Sequence, residues 1–515
     1  MSDLIDRADR KILTPDELTV AVAACKSRGK SVAHCHGVFD LVHPGHIRHL
    51  RAASQQADIL VVTVTADKYV NKGPGRPVYT APLRAETLAA LEYVDYVTIN
   101  DASSAVEIIG RLRPDVYVKG SDYASAEDDI TGMIVEEAAA VAAVGGRVHF
   151  TDEMVMSSSE LLNAYFDIFR PETQAWLKEL RKTHSPADIV KHIGRLRDVN
   201  VMVIGESIID EYIFCEVLGR STKDPLLAFK YGSMETYAGG SLAVANHVAG
   251  LCGDVRLVTL LGERDSRQKF VKEHLNRKIQ LSAMRQVGAP TIHKRRYLDT
   301  HTGSKVFELY TLDDTPLRRR TEDSLLATIE ENIAQADVVI VADYGHGMLS
   351  QRAVDLIVDK APFLAVNTQS NAGNRGFNTI SKYPRADYVC LNGGEVELEM
   401  RMRRQATSDR DLLKGVADRI DCPKFTMTLG RDGTLHYDRS EGFFEAPALA
   451  VSVADRVGAG DAVLSVTAPM VALSMPWEIV GFVGNLAGAE AVSQLGTSRL
   501  LEGTSLIKHT EAILK

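Results

Sequence analysis

The stretch from Cys35 to His46, Cys-His-Gly-Val-Phe-Asp-Leu-Val-His-Pro-Gly-His, constrains the chain most, because it reads as a turn from a buried strand into a helix. Small and β-branched residues from Ser31 to Cys35 suit a buried strand. Gly37 then permits an unusual backbone angle or a close ligand approach at the strand's end. Pro44 fits the first turn of a helix but not its interior, and Ile47, Leu50 and Ala53 recur at helical spacing. His43 and His46 therefore stand beside a helix N-terminus, where free N–H groups and the helix dipole favour an anion. Two imidazoles there could bond phosphate oxygens and stabilise charge that develops in phosphoryl transfer. An isolated His-x-x-His could equally ligate a metal, or divide between a helix cap and a core position.

Length requires more than one such unit. At 515 residues the chain exceeds one ordinary core, and two or three domains are expected. A net charge of −9 argues against a nucleic-acid surface. The start, Met-Ser-Asp-Leu-Ile-Asp-Arg, lacks the apolar core of a signal peptide. The longest uncharged run, Ala462 to Trp477, is short for a membrane span and contains Pro469 and Pro476. Cys25, Cys35, Cys215, Cys252, Cys390 and Cys422 show no C-x-x-C spacing, so they read as reduced thiols of a cytoplasmic protein without a zinc site.

In the first half, Ile59 to Thr65 is an unbroken apolar and β-branched run, as in a buried parallel strand. Asn71 to Val78 is a loop carrying Lys72 and Arg76, which as bare cations could simply solvate a turn. Further strands are expected at Tyr96 to Ile99, at Val116 leading into Lys119, and at Val148 to Phe150. Ser157-Ser158-Ser159-Glu160 opens a helix whose hydroxyls suit N-capping. Alternating strands and helices imply a doubly wound parallel sheet with a crevice site. A charged helical connector, broken by Pro171 and Pro186, separates a domain at 1–163 from one at 199–515 and itself covers 164–198.

The second domain opens on Val201 to Glu206, a strand ending in glycine and glutamate, with Asp210 beyond it. Ala238-Gly239-Gly240-Ser241 leads into a small-residue helix. Strands are expected at Arg256 to Leu261, Val338 to Ala342, Phe363 to Val366, Tyr388 to Leu391 and Phe425 to Thr428. In Asp455-Arg456-Val457-Gly458-Ala459-Gly460-Asp461, consecutive small residues let backbone N–H groups face an anion at a helix start. Asp461 could accept a proton from an attacking hydroxyl, although a bare G-x-G-D also serves as a tight turn with a cap.

Both halves carry resemblances. G-V-F-D-L-V-H-P-G-H resembles the H-x-G-H signature of nucleotidyltransferases, in their cytidylyl- and adenylyltransferase branch. D-x-x-G-A-G-D resembles the hallmark of ribokinase-like sugar kinases. With V-K-G-x-D-Y at 118–123, Asp343-Tyr344-Gly345-His346-Gly347 and Leu495-Gly496-Thr497-Ser498, the chain resembles the bifunctional heptose-7-phosphate kinase/heptose-1-phosphate adenylyltransferase family. That resemblance implies two doubly wound α/β domains, a Rossmann-like nucleotidyltransferase and a ribokinase-like kinase with a small β lid at Tyr212–Tyr237 and Thr291–Thr311. It gives His43 and His46 the phosphate contacts as a sugar phosphate attacks the α-phosphorus, and Asp461 the kinase's base role. It implies nucleotide contacts at Gly37, Phe39, Lys72, Arg76, Lys119, Ser158 and Ser159, and in the kinase at Gly430, Gly458, Ala459 and Gly460; Arg84 also matches a basic position. Acceptor contacts fall on Asp40, Asp122, Asp210, Gly239, Gly240 and Asp343, while Asn392 and Glu395 would organise Mg²⁺, through water. Substrates would be a sugar phosphate and ATP, or else CTP, in a homodimer with no nucleic-acid or membrane partner.

Departures from the family pattern are concentrated. The kinase comes first in that family, and here it comes second. The sugar-binding asparagine falls on Ala243, an expected aspartate is Glu206, the D-Y-x-K-G lysine is His346, and D-P-K reads Asn367-Thr368-Gln369. Ser159 replaces the usual threonine. Each lost partner for a sugar phosphate should cost about 1–3 kcal/mol. Two readings follow: a bifunctional enzyme making an NDP-sugar like ADP-heptose, or a nucleotidyltransferase whose degenerate kinase half is a binding or dimerisation scaffold.

Overall fold

The computed structural model describes residues 8–120, 133–151 and 168–514. The chain divides into two compact units, one of Met1–Ile168 with Glu511–Ile513 and one of Phe169–Thr510 with Leu514. The two helices of the connector, Pro171–Thr183 and Pro186–Arg195, count with the second unit.

The first unit is a parallel sheet of β1 (Val32–Gly37), β2 (Ile59–Thr65), β3 (Tyr96–Asn100), β4 (Val116–Gly120) and β5 (Arg147–Thr151) in the order β3-β2-β1-β4-β5. Every residue of β2 is buried, because helices cover both faces of the sheet. Alternate residues supply the two cores: Val62 and Val64 pack with Leu50 and Leu88 on one face, Val61 with Leu18 and Ile109 on the other. Strand order reverses between β1 and β4, which opens a crevice past Gly37 and Gly120.

The second unit contains a nine-stranded sheet in the order β10-β9-β6-β13-β14-β15-β16-β17-β18. Its strands are β6 (Val201–Gly205), β9 (Val255–Arg264), β10 (Ile279–Pro290), β13 (Val338–Asp343), β14 (Leu364–Thr368), β15 (Tyr388–Asn392), β16 (Lys424–Thr428), β17 (Thr434–Asp438) and β18 (Gly442–Ala446). All pair in parallel except the β16-β17-β18 hairpins. A separate four-stranded sheet, in the order β12-β11-β7-β8, joins β7 (Ser207–Arg220), β8 (Leu227–Gly240), β11 (Ile292–Asp299) and β12 (Lys305–Thr311). It takes in both segments expected to form a lid. Its outer end leaves Leu218, Tyr231 and Leu309 exposed, while its inner end is buried. Among the described residues no helix is long and apolar enough to cross a membrane.

Candidate active sites

In the first unit β1 delivers Gly37 and Phe39 to the edge of the crevice, and the helix Pro44–Ser54 follows. His43 caps that helix: its Nδ1 accepts the Gly45 N–H at 3.1 Å. Its ring lies 4.1 Å from that of His46, which meets Phe39 edge-on at 5.4 Å. Phe39 holds a left-handed φ of 52°. A Cβ at Gly37 would stand 3.1 Å from the Phe39 ring, so glycine there leaves room for it. Removal from water, then the charges of His43, Lys72 and His49, pushes His46 down to about 3; His43 is lowered by its dry surroundings and Lys72. Both imidazoles are therefore neutral at pH 7 and carry one N–H each, and His46 also bonds the Leu41 backbone.

Basic residues of the neighbouring loop divide by role. Lys72 lies close enough to lower both histidines. Arg76 reaches Asp40 at 3.7 Å, and the other Asp40 oxygen accepts the N–H groups of Val78 (2.7 Å) and Tyr79 (3.1 Å). Asp40, expected to touch the acceptor, thus fastens this loop. Arg84 is a brace rather than a ligand contact. It is 1% exposed and donates to the carbonyls of Tyr79 (2.9 Å), Thr65 (2.8 Å) and Val38, with Asp67 as its carboxylate. Arg84→Met would strand three carbonyls and should cost on the order of 3 kcal/mol. The check is calorimetric unfolding of the whole chain: the first domain's transition should fall, and an unchanged scan would refute the brace.

Lys119 pairs with buried Glu137 at 2.8 Å, and Glu137 also accepts the Tyr117 hydroxyl at 2.9 Å. Three imidazoles went unassigned in the sequence. His34 and His36 share Thr63 Oγ1 at 2.9 and 2.7 Å, and His49 meets Thr151 Oγ1 at 2.9 Å. Alternation along β1 was the available signal, since residues two apart share a face. Burial pushes both His36 and His49 down to about 4. Asp122, Ser158 and Ser159 lie outside the described residues.

In the second unit the helix Ala459–Ala472 starts at Gly458, whose φ is 83° and which supplies no side-chain cap. Its first N–H groups are thus left for a ligand. Half-buried Asp461, in that first turn, accepts the Tyr344 hydroxyl at 3.0 Å, and its dry surroundings push it up to about 7. Glu395 is likewise pushed up to about 7, by burial and, among lesser causes, by Asp461. With Asn392 it forms a reciprocal cap at 2.8 and 3.0 Å, and it also accepts the Ser370 N–H at 3.2 Å. Gly430, at φ 62°, opens a short turn with clear space around it.

The expected acceptor residues meet different fates. Asp210 pairs with Arg296, and a Cβ at Gly239 would come within 1.9 Å of its carboxylate. Gly240 combines a φ of 59° with the Glu206 carbonyl 2.6 Å from any Cβ. Asp343 is a buried hub for Lys382 (2.8 Å), the Tyr383 hydroxyl (2.8 Å) and the Gly345 N–H (3.0 Å). Glu206 accepts the N–H groups of Tyr344 (3.1 Å) and His346 (2.9 Å), so it clamps that turn. Ala243 is buried in the helix Ser241–Ala249, and Asn367 bonds the Cys390 carbonyl at 2.8 Å. His346 is also buried, pushed down to about 4 by burial. Lys294 and Tyr344 also stand at this site, and neither has a role assigned from sequence.

Comparison with known proteins assigns both units. Residues 34–164 match the cytidylyltransferase-like family, and residues 198–503 match the pfkB family of carbohydrate kinases. The bifunctional protein HldE of Citrifermentans bemidjiense is 42% identical over 143 residues, 27% of this chain and 28% of that protein. HldE of Bradyrhizobium diazoefficiens is 27% identical over 300 residues, 58% of this chain and 60% of that protein. Each match thus spans less than two thirds of the relative's length. Phosphofructokinase-2 from Escherichia coli superposes with a TM-score of 0.50 at 16% identity, over 62% of this chain and all of that one, which is a likeness of fold. The pfkB match covers more than half of the 515 residues, so the chain belongs to the pfkB family of carbohydrate kinases, with a cytidylyltransferase-like domain ahead of the kinase domain.

Proposed function

We propose that the chain is a bifunctional enzyme that makes an NDP-sugar, most closely an ADP-heptose-like product. The second domain phosphorylates a sugar or sugar phosphate, and the first transfers a nucleotidyl group to a sugar 1-phosphate. The observation that carries the kinase half is Asp461, set in an uncapped helix start and held to about 7. There it takes the proton from the acceptor's hydroxyl as that oxygen attacks the terminal phosphorus of ATP, while the Gly458–Gly460 N–H groups meet the phosphate oxygens. In the first domain a sugar-phosphate oxygen attacks the α-phosphorus and pyrophosphate leaves. His43 and His46, neutral and paired, donate to the oxygens on which charge builds.

Mg²⁺ fits the donor set as a carried ion. Among the described residues no three His, Cys, Asp or Glu side chains converge on one point. Such a site suits a cation that keeps water and phosphate as most of its ligands. Asn392 and Glu395 are the residues that would organise it, through water. When bound, it would neutralise phosphate charge in the transfer.

We also read the domain order as the reverse of the heptose family's, the location as cytoplasmic, and the chain as a homodimer. Buried Ala243 and His346, with Asn367 bonded to the Cys390 carbonyl, support an altered acceptor, and they equally favour the second reading of a scaffold. The test is a screen of sugar phosphates against each NTP, following pyrophosphate release and ADP formation separately. In it we expect ATP to outrun CTP in the first domain, because the residues at 118–123 and 75–78 resemble the heptose branch. Equal or faster turnover with CTP would reverse that choice.

A further inference from the structure

Four consecutive residues of β11, from His293 to Arg296, are basic. Three have carboxylate partners. Arg295 bonds Glu211 at 2.6 Å, Arg296 bonds Asp210 and also Glu308 at 2.9 Å, and His293 lies 3.3 Å from Glu211. Lys294 is 4% exposed, yet its ammonium makes no hydrogen bond and no ion pair with any described residue. Nζ sits 5.3 Å from the centre of the Tyr310 ring and 5.9 Å from that of Tyr344, whose hydroxyl holds Asp461. It faces Asp210, Arg296, Glu206 and Glu308, and its charge also acts on Asp461 and His346. Burial lowers its pKa, so the ammonium has given up part of its hydration without gaining a hydrogen-bond acceptor.

What that ammonium lacks is an oxygen within hydrogen-bonding reach. We propose that Lys294 is a phosphate-binding residue of the second domain, taking a phosphoryl oxygen beside Asp461. The inference rests on the kinase reading above. Two substrates could supply that oxygen: the terminal phosphoryl of ATP, or a phosphate already on the acceptor.

The test uses the full chain carrying His43→Ala and His46→Ala, which disables the first domain's phosphate contacts. Calorimetry measures MgAMP-PNP binding in one arm, and inorganic phosphate binding in the presence of MgADP in the other. Lys294→Met should weaken one of the two by about tenfold or more, and Lys294→Arg should restore it to within a few-fold. Loss in the first arm identifies the nucleotide's phosphoryl, and loss in the second alone identifies the acceptor's phosphate. Unfolding midpoints of the variants establish that each is folded, and Lys294→Gln replaces Lys294→Met if that one is not. If the parent chain binds and Lys294→Met changes neither arm, the inference is overturned while the kinase reading stands. If the parent binds in neither arm, both fall together.

Discussion

His46→Ala should lower pyrophosphate release by about 10²–10³-fold, the usual effect of deleting one donor to a developing oxyanion. The ring it removes lies 4.1 Å from His43, in a pair whose other member is fixed by the Gly45 N–H. His43 cannot move across to substitute, because doing so would uncap the helix that presents both rings. His46 is pushed down to about 3, so the loss concerns a neutral donor. The rate defect should therefore stay constant from pH 6 to pH 9. ADP formation by the second domain should stay within a few-fold, since Asp461 belongs to the other compact unit. Undiminished pyrophosphate release would show that the His43–His46 pair is only a helix cap.

How far the sequence could be read depended on whether a residue's partners were local. Ile59 to Thr65 was legible as a buried strand because a run apolar on both faces needs two cores, and it has them. Asp461 stands out in the sequence because Gly-Ala-Gly places only small residues ahead of it. β17 was not, since Thr434, His436 and Asp438 are polar yet buried. Their burial depends on side-chain bonds, with His436 held by Thr426 of the neighbouring strand and Thr434 of its own at 2.8 Å each. Periodicity does not register a satisfied polar core. The partners of Arg84 were hidden for a related reason. In sequence it continues a basic loop, whereas in space Val38 and Thr65 surround it with carbonyls. Glu206 read as a damaged acceptor contact because its partners, the N–H groups of Tyr344 and His346, come from a strand end much later in the chain.

Asp461→Asn should remove phosphorylation by about 10²–10⁴-fold, the contribution of a positioned general base, while ATP affinity stays near that of the parent chain. The amide preserves shape and can still accept from Tyr344, but it takes no proton from a hydroxyl. ATP affinity should survive because the Gly458–Gly460 N–H groups and the Gly430 turn do not depend on that carboxyl's charge. The same group sets a pH signature. A base works only when ionised, and Asp461 is raised from 3.8 to about 7, so ADP formation should climb as pH rises through 7. Stability should move the opposite way. Between about 4 and 7 the folded chain retains protons on Asp461 and Glu395 that the unfolded chain has released, so rising pH across that window disfavours the fold. An acceptor-dependent rate profile flat from pH 5.5 to pH 8, or an Asp461→Asn chain that still phosphorylates at the parent rate, would take the base role away from Asp461.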